Sequence, residues 1–318
     1  MVGIQLGAMW EEVSMMSAAT AAEARPDPVF GRVLTAMVTP FDADGAVDIG
    51  AVQRLAVHLV DDLANDGLVV NGTTGESPTT TDEEKRRVVA AVVEAVGDRA
   101  SVVAGVGTFS TDHTRHLAED AAAAGADGLL VVTPYYSRPP VDALEEHFFA
   151  VADTTNLPCM LYDIPHRAGL AIPEASLVAL AAHRNIVAVK DAKADVVSSS
   201  AVIAQTTLQY YAGDDAFLLP LLAVGGVGVV GTSTHFSGPA AAALVEAVLD
   251  GDLDGALARH QAVLPVFRGV FRTQGCMMVK AALNARGMGV GACRAPMGTV
   301  PDELLQPFLA ELDACLGA

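Results

Sequence analysis

Ile186-Val187-Ala188-Val189-Lys190-Asp191 is a short apolar run that ends in two charged residues. Its apolar residues are mostly β-branched and no polar residue alternates with them, which predicts a β-strand buried on both faces. Such strands belong to parallel sheets whose faces are covered by helices. The run therefore predicts an α/β fold and places Lys190 at the end of a buried strand.

Runs of the same kind recur along the chain, and Ala-rich stretches of helical length separate them. One stretch begins with the capping box Thr81-Asp82-Glu83-Glu84, and another is predicted to start at Pro173. Eight strand–helix units in a row predict a (β/α)₈ TIM barrel. A doubly wound sheet is the alternative, but it usually has fewer strands and a glycine-rich turn after the first one, which is absent here. The predicted strands are Val33–Val38, Gly67–Asn71, Ser101–Val106, Gly128–Thr133, Cys159–Ile164, Ile186–Lys190, Leu208–Ala212 and Gly228–Thr232.

The barrel accounts for residues 31–251 and leaves a segment on either side. Residues 1–30 are rich in Ala and Ser and contain Pro26-Asp27-Pro28, which predicts a flexible N-terminal tail. The order of charges in that tail fits neither a secretory signal nor a transit peptide. Residues 252–318 carry apolar residues at helical spacing from Leu253 to Leu316, which predicts a C-terminal extension of three helices.

The composition excludes several classes of partner. A formal net charge of −19 argues against binding to nucleic acid or to a membrane of anionic lipid, because both need clustered cations. No apolar run is long enough to span a membrane. The four cysteines have neither metal-site nor disulfide-framework spacing, which predicts a cytoplasmic protein.

Lys190 is the first candidate for catalysis. The chain has only four lysines, so lysine is not its routine surface charge. An ammonium group at the end of a buried strand is costly to desolvate, and loss of the proton relieves that cost. A neutral lysine amine condenses with carbonyl compounds to form a Schiff base. The alternative is that Lys190 extends past the strand end into water, and the strand alone does not decide between the two.

Polar side chains follow five of the predicted strands, at the end where a barrel of this type places its reactive groups. The loop Gly72-Thr73-Thr74-Gly75 offers backbone N–H groups and hydroxyls to a carboxylate. Tyr162 could relay protons to a nearby amine, and Arg167 could bind a second carboxylate. Each residue alone has an ordinary structural explanation, whereas together they predict an imine-forming site for carboxylate substrates.

Other motifs lack their functional context. Gly226-Val227-Gly228-Val229-Val230-Gly231 matches a dinucleotide-binding pattern, but it precedes and forms a strand instead of turning into a helix. His113 and His116 share a polar helix face, and no His, Asp and Glu cluster predicts a metal site. No nucleophile elbow or phosphate-binding loop is present.

These residues resemble the pyruvate-dependent Schiff-base aldolase and lyase family from about Gly31 to the C-terminus. The resemblance implies an enzyme that captures pyruvate covalently, needs no metal or organic cofactor, and assembles as a homotetramer built as a dimer of dimers. The second substrate that it implies is L-aspartate-4-semialdehyde, whose condensation product feeds diaminopimelate and lysine synthesis. The motifs that carry it are Gly72-Thr73-Thr74-Gly75-Glu76-Ser77, Thr133-Pro134-Tyr135-Tyr136, Leu161-Tyr162-Asp163-Ile164-Pro165, Val189-Lys190-Asp191-Ala192 and Gly213-Asp214-Asp215.

The resemblance also implies roles for individual residues. Lys190 would form the imine, and Thr73, Tyr162 and Tyr136 would relay protons, with Tyr136 reaching into the neighbouring subunit. The remaining matched positions would contact substrate. They are Thr74 for the pyruvate carboxylate, Arg167 for the semialdehyde carboxylate, and the main-chain carbonyls of Gly213 and Val230 for the pyruvate site.

One group of positions departs from the family pattern. Several members bind lysine as a feedback inhibitor, and Ser77 and Tyr135 match two of the positions involved. Other members carry an alanine, a histidine, an asparagine and a glutamate where this chain has Pro78, Asp82, Phe109 and His113. Losing the amide and the acid removes partners for an ammonium group, which predicts weak inhibition by lysine.

Three alternative functions stay open at this point. A sister enzyme could use the same imine on a sugar acid such as N-acetylneuraminate or 2-keto-3-deoxy-gluconate. A catalytically silent barrel could act as a binding protein, although it would not need a full constellation at the strand ends. A flavin- or phosphate-binding barrel ranks third, because the glycine-rich segment 225–231 belongs to a strand and the turn before it.

Overall fold

Eight parallel strands form a closed barrel in the computed structural model, which describes residues 27–317. Each strand pairs with the next and the last pairs with the first, where Leu34 lies opposite Val230. A closed ladder rules out the doubly wound sheet. The strands are β1 (Val33–Ala36), β2 (Gly67–Val70), β3 (Ser101–Gly105), β4 (Gly128–Val132), β5 (Cys159–Asp163), β6 (Ile186–Asp191), β7 (Gln209–Ala212) and β8 (Gly228–Gly231).

Helices follow the strands and cover the outside of the barrel. The predicted capping box is confirmed, because the Thr81 hydroxyl accepts from the N–H of Glu84 at 3.2 Å and the Glu84 carboxylate accepts from the N–H of Thr81 at 2.9 Å. The predicted start at Pro173 is wrong by one residue, since Pro173 is extended (ψ 149°) and caps a helix that begins at Glu174. The helices are α1 (Ile49–Val57), α2 (Asp82–Val96), α3 (Thr111–Ala123), α4 (Val141–Ala152), α5 (Pro165–Ala168), α6 (Glu174–Leu180), α7 (Val196–Ile203), α8 (Leu218–Ala223), α9 (Thr234–Leu249), α10 (Leu253–Gly269), α11 (Gly275–Ala285) and α12 (Asp302–Leu316).

Six predicted strands end one or two residues earlier than expected. At β2 the reason is conformational, because Asn71 has a φ of 56° and cannot continue the ladder. At β8 the N–H of Thr232 turns from the ladder to the Asp215 carboxylate at 3.0 Å. The residues beyond the true strand ends are therefore loop residues at the mouth of the barrel.

Two buried apolar clusters divide the core. The larger lies between the strands and the helices, and the smaller fills the inside of the barrel. The inner cluster includes Met160, Tyr162, Ala188 and Tyr211, so alternate residues of β5 to β7 point inward. Lys190 has the same parity as Ala188 and follows it on the inner face.

The glycines of the dinucleotide-like motif serve close packing. A Cβ on Gly228 would lie 1.9 Å from the carbonyl oxygen of Arg32, the residue before β1. A Cβ on Gly231 would lie 2.7 Å from the Asp215 carboxylate. Residues 228–231 form β8, as predicted, and the dinucleotide alternative is not supported.

The C-terminal extension consists of α10, α11 and α12, as predicted. α10 packs along α9, and α12 packs along α10. The segment between α11 and α12 returns to the barrel mouth, where the N–H of Phe41 donates to the carbonyl of Val290 at 3.1 Å. The domain limits at residues 30 and 251 stay predictions. The tail predicted for residues 1–30 lies outside the described residues as far as residue 26.

Candidate active site

Lys190 lies on β6 between two inward-facing tyrosines. The strand register places Tyr162 of β5 and Tyr211 of β7 directly beside it. Lys190 is 5% exposed, and its Nζ lies 4.4 Å from the centroid of the Tyr162 ring. The side chain therefore stays inside the barrel mouth, and the alternative in which it extends into water is wrong.

Burial sets the protonation of this amine. It lowers the pKa of Lys190 to about 8, against the attraction of the Asp215 carboxylate and with the help of the Arg167 guanidinium. A pKa near 8 leaves about a tenth of the side chain neutral at pH 7. The site thus contains a usable nucleophile at physiological pH.

Tyr162 is the tyrosine whose ring lies against the amine. Burial raises the pKa of Tyr162 to about 12, while the positive charge of Arg167 and a hydrogen bond with Thr73 oppose that rise. The main chain of Tyr162 is held from β4, because the Thr133 hydroxyl donates to its carbonyl at 3.2 Å. A protonated phenol linked to a threonine hydroxyl beside an amine can pass protons to and from it.

The loop between β2 and α2 carries the predicted carboxylate donors. Its shape is fixed at both ends, because Asn71 and Glu76 have φ values of 56° and 57° and the Thr39 hydroxyl donates to the carbonyl of Gly75 at 2.7 Å. The N–H of Glu76 donates within the loop, to the carbonyl of Thr73 at 3.1 Å. Thr73 and Thr74, in the middle of the loop, line the cavity.

A cavity of about 260 Å³ joins these residues. Six of the eight predicted site residues line it, which are Thr73, Thr74, Tyr162, Arg167, Lys190 and Gly213. A neighbouring cavity of about 220 Å³ shares Thr73, Tyr162 and Arg167 and continues toward Ser77 and Tyr135. The structure therefore brings four separated segments of the sequence, at the ends of β2, β5, β6 and β7, to one small chamber.

Two predicted residues do not line this cavity. Tyr136 is 95% exposed with a φ of 70°, so it projects away from the Lys190 of its own chain. Val230 of β8 lies inside the barrel opposite Leu34 of β1. Thr232, two residues after Val230, lines the cavity, whereas Val230 does not. The roles expected for Tyr136 and for the Val230 carbonyl stay predictions.

The C-terminal extension contributes residues that the sequence did not single out. Phe271 lines the cavity, and the Arg167 guanidinium donates to the Gln274 side-chain oxygen at 3.0 Å. Gln274 precedes α11 and lies 107 residues from Arg167 along the chain. No local pattern connects the two positions, because only the return of the extension to the barrel mouth brings them together.

Asp215 is the second residue that was not assigned a role. Its carboxylate is completely buried and accepts from the N–H of Thr232 at 3.0 Å and from the N–H and hydroxyl of Ser233 at 2.9 and 2.5 Å. Burial raises the pKa of Asp215, and these hydrogen bonds oppose the rise. The sequence did show an Asp-Asp pair after β7, but burial is what distinguishes Asp215 from the exposed Asp214.

Three of the four positions that depart from the family pattern contact a neighbouring side chain. The His113 imidazole lies 3.0 Å from the Asp82 carboxylate, and the rings of Phe109 and Tyr135 meet edge to face at 5.6 Å. A half-exposed histidine–carboxylate contact and an aromatic pair thus occupy these positions. His116 lies near Asp120, which agrees with the polar helix face predicted for both histidines.

Neither a metal site nor a membrane span is found in residues 27–317. No group of three or more His, Cys, Asp and Glu side chains is arranged to hold a metal ion there. No helix in that range is long and apolar enough to cross a bilayer.

The chain is similar to proteins of one family over nearly its whole length. Residues 29–315 match the model of the "Dihydrodipicolinate synthetase family". A 4-hydroxy-tetrahydrodipicolinate synthase of Acidothermus cellulolyticus is 61% identical over 86% of this chain and 88% of the relative. One of Cutibacterium acnes is 58% identical over 90% of this chain and 98% of the relative. A solved structure of the enzyme from Cyanidioschyzon merolae with lysine bound has a TM-score of 0.88 at 36% identity, over 90% of this chain and 98% of that one.

Proposed function

The chain belongs to the dihydrodipicolinate synthetase family, and from this premise we propose that it is a lyase-type enzyme that condenses pyruvate with L-aspartate-4-semialdehyde. The product is 4-hydroxy-tetrahydrodipicolinate, which enters diaminopimelate and lysine synthesis. The observation that carries the proposal is a buried lysine of lowered pKa in a cavity that offers carboxylate-binding groups on two sides. Arg167 supplies one side, and the loop with Thr73 and Thr74 supplies the other.

Imine formation is the first step. The neutral amine of Lys190 attacks the ketone carbon of pyruvate, and the carbonyl oxygen takes up protons and leaves as water. Tyr162 and Thr73 pass these protons, because the Tyr162 ring lies 4.4 Å from the amine and Thr73 lines the same cavity. The hydroxyl and N–H groups of Thr74 hold the pyruvate carboxylate.

Condensation follows on the same lysine. The protonated imine withdraws electrons, so the pyruvate methyl group loses a proton and becomes the nucleophilic carbon of an enamine. That carbon attacks the aldehyde of the second substrate, whose carboxylate is bound by Arg167. The amine of the second substrate then attacks the imine carbon and breaks its bond to Lys190, which restores the free lysine and closes the ring of the product. The lysine is the electron sink, so the reaction requires no metal or organic cofactor.

Assembly and location are part of the proposal. We expect an oligomer, more specifically a homotetramer built as a dimer of dimers, in which Tyr136 completes the relay of a neighbouring subunit. Its support is the nearly complete exposure of this tyrosine beside the site. A cytoplasmic location is supported by four free cysteines at positions 159, 276, 293 and 315.

Regulation by lysine is expected to be weak in this chain. The Cyanidioschyzon merolae relative has been solved with lysine bound. Here the Asp82 carboxylate is already paired with His113, so it is less available to a ligand ammonium. Millimolar lysine should lower the initial rate by less than about twofold, and a severe loss of rate would contradict this.

A trapping experiment tests the proposed function. Borohydride should reduce the imine in the presence of pyruvate and fix the adduct on the peptide that contains Lys190, which peptide mapping identifies. Lys193→Arg is the matched control, because Lys193 lies three residues away and donates to Ser198 instead of lining the cavity. Absence of an adduct would indicate a silent barrel. An adduct without turnover of the semialdehyde, but with turnover of a sugar acid, would indicate a sister enzyme.

A further inference from the structure

A second buried lysine connects the C-terminal extension to the loop that carries Thr73. Glu76, at the end of that loop, has a left-handed backbone (φ 57°) although it is not glycine. Its side chain is 1% exposed, and its Oε1 lies 2.7 Å from Nζ of Lys280, whose side chain is 2% exposed. The contact is an ion pair that is buried on both sides.

Arg294 provides the second anchor. Its backbone N–H donates to Glu76 Oε2 at 2.8 Å, and its guanidinium donates to the carbonyl of Thr79 at 2.7 Å and to the Glu84 carboxylate at 2.9 Å. Both cations lie against the ring of Phe41, at 4.0 Å for Lys280 and 4.2 Å for Arg294. The extension therefore contacts the β2–α2 loop at several points, from Glu76 to the first turn of α2.

Backbone hydrogen bonds connect these contacts to Thr73 of the proposed proton relay. The N–H of Glu76 donates to the carbonyl of Thr73 at 3.1 Å, and the N–H of Thr79 donates to the carbonyl of Glu76 at 2.9 Å. A shift of Glu76 would therefore move Thr73, which lines the same cavity as Tyr162 and lowers the pKa of its phenol. Left-handed backbone in a non-glycine residue is strained and persists where surrounding contacts hold it.

Stability alone is a poor reason for this arrangement. A buried ion pair gains little over a well-packed apolar pair, because the desolvation of both charges offsets their attraction. A fixed loop has a clear use in catalysis, since displacing a reacting group by about 1 Å can cost about 10²-fold in rate. Loops without such anchors are among the more mobile parts of a protein.

We propose that Glu76 is a positioning residue for the reaction, anchored by Lys280 and Arg294 of the extension so that Thr73 stays opposite Tyr162. The proposal rests on the imine chemistry proposed for Lys190. It assigns the C-terminal extension a part in catalysis, because it supplies both anchors.

Substitution at Glu76 tests the proposal. We expect Glu76→Ala to lower kcat/KM for pyruvate by about 10²-fold, and Glu76→Gln by about tenfold since the amide oxygen still accepts from Arg294 N–H. The control is Leu312→Ala, which removes a buried side chain of α12 away from the loop and loosens the extension without touching Glu76. It should stay within about twofold of the parent. All rates are measured at a temperature at which circular dichroism shows each variant fully folded.

The pH profile and a double-mutant cycle separate positioning from other roles. The pH midpoint of pyruvate trapping should not move in the Glu76 variants, because Glu76 is not among the charges that shift the pKa of Lys190. In a Thr73→Val background, Glu76→Ala should lower the trapping rate by less than about threefold, since both changes act through one residue.

Three results would overturn the inference. The first is a Glu76→Ala protein that is folded and traps pyruvate at the parent rate. The second is an equal loss of rate in Glu76→Ala and Leu312→Ala, and the third is a full additional loss from Glu76→Ala in the Thr73→Val background. If the unmodified chain traps no pyruvate, the proposed function fails and takes the inference with it, so the two failures are distinguishable.

Discussion

Lys190 and Lys280 are both buried lysines, yet their surroundings give them opposite properties. Burial lowers the pKa of each, but Lys190 meets the Asp215 carboxylate only through space and also feels the positive charge of Arg167. Lys280 lies in ion-pair contact with Glu76. The first is therefore a nucleophile that can shed its proton, and the second is a fixed cation. The difference teaches that the position of the nearest carboxylate, and not burial itself, decides what a buried lysine does.

Replacing Lys190 should have the largest effect. Lys190→Arg keeps a positive charge, but the guanidinium does not deprotonate and cannot form the imine, so the rate should fall by about 10⁴-fold or more. The measurement is the coupled rate with pyruvate and semialdehyde, with Lys193→Arg as a control that keeps most of the activity. Equal turnover by Lys190→Arg and the parent would show that Lys190 does not form the imine.

The phenol beside Lys190 should matter next. Tyr162→Phe keeps the ring that the amine lies against and removes only the hydroxyl, so folding should be preserved. We expect the trapping rate and kcat to fall by about 10²- to 10³-fold, the usual worth of a positioned proton donor. A variant that traps pyruvate as fast as the parent would show that protons reach the amine by another route.

Substitution by methionine should change the unfolding free energy in opposite directions at Lys280 and Lys190. Lys280→Met leaves the Glu76 carboxylate buried without its partner and should cost about 3–5 kcal/mol of unfolding free energy. Glu76→Gln/Lys280→Met should recover part of that loss. Lys190→Met removes an amine whose burial is unfavourable and should stabilise the inactive protein by up to about 3 kcal/mol.

The pH dependence of the Lys190→Met effect has a defined sign. Lys190 has a pKa of about 8 when folded against a model value of 10.5, so the folded state holds its proton less tightly than the unfolded chain. Lys190 therefore lowers the unfolding free energy by its full amount below pH 8. This destabilisation decreases between pH 8 and pH 10.5 and is absent above that range. Chemical denaturation at pH 7 and pH 10.5 measures it, and a gain that grows with pH would contradict the assignment.

The smallest effects should come from the charges around Lys190. The rate of trapping should rise about tenfold per pH unit below a midpoint near 8, since only the neutral amine reacts. Arg167→Met should move that midpoint upward, because Arg167 lowers the pKa of Lys190. Asp215→Asn should move it downward, because the carboxylate raises that pKa. Shifts in the reverse directions would show that other groups set the protonation.

Much of the barrel could be predicted because its signals are local. A β-branched run such as that before Lys190 predicts a buried strand without knowledge of its neighbours, and the capping box at Thr81 fixes a helix start through contacts three residues apart. Strand ends were less certain. At Asn71 the ladder stops because of a positive backbone φ. At Thr232 it stops because the N–H donates to the Asp215 carboxylate, which follows another strand.

The candidate site was predictable to the extent that the barrel gathers strand ends. Six of eight residues line one cavity because parallel strands bring their carboxyl ends to the same rim. Gln274 and the Glu76–Lys280 pair were not predictable, since their partners are more than 100 residues away. Tyr136 is 95% exposed and points away from the cavity of its own chain.

The sequence by itself determined the number and order of strands, the family, and the identity of the lysine at the end of β6. These follow from the short-range preferences of residues for strand, helix and cap. Only the tertiary structure decided that this lysine is buried with no carboxylate of residues 27–317 in ion-pair contact, while another is paired with an acid from a distant loop. The reason is physical, because the charge state of a buried group depends on what closes around it, and that is set by the folded chain as a whole.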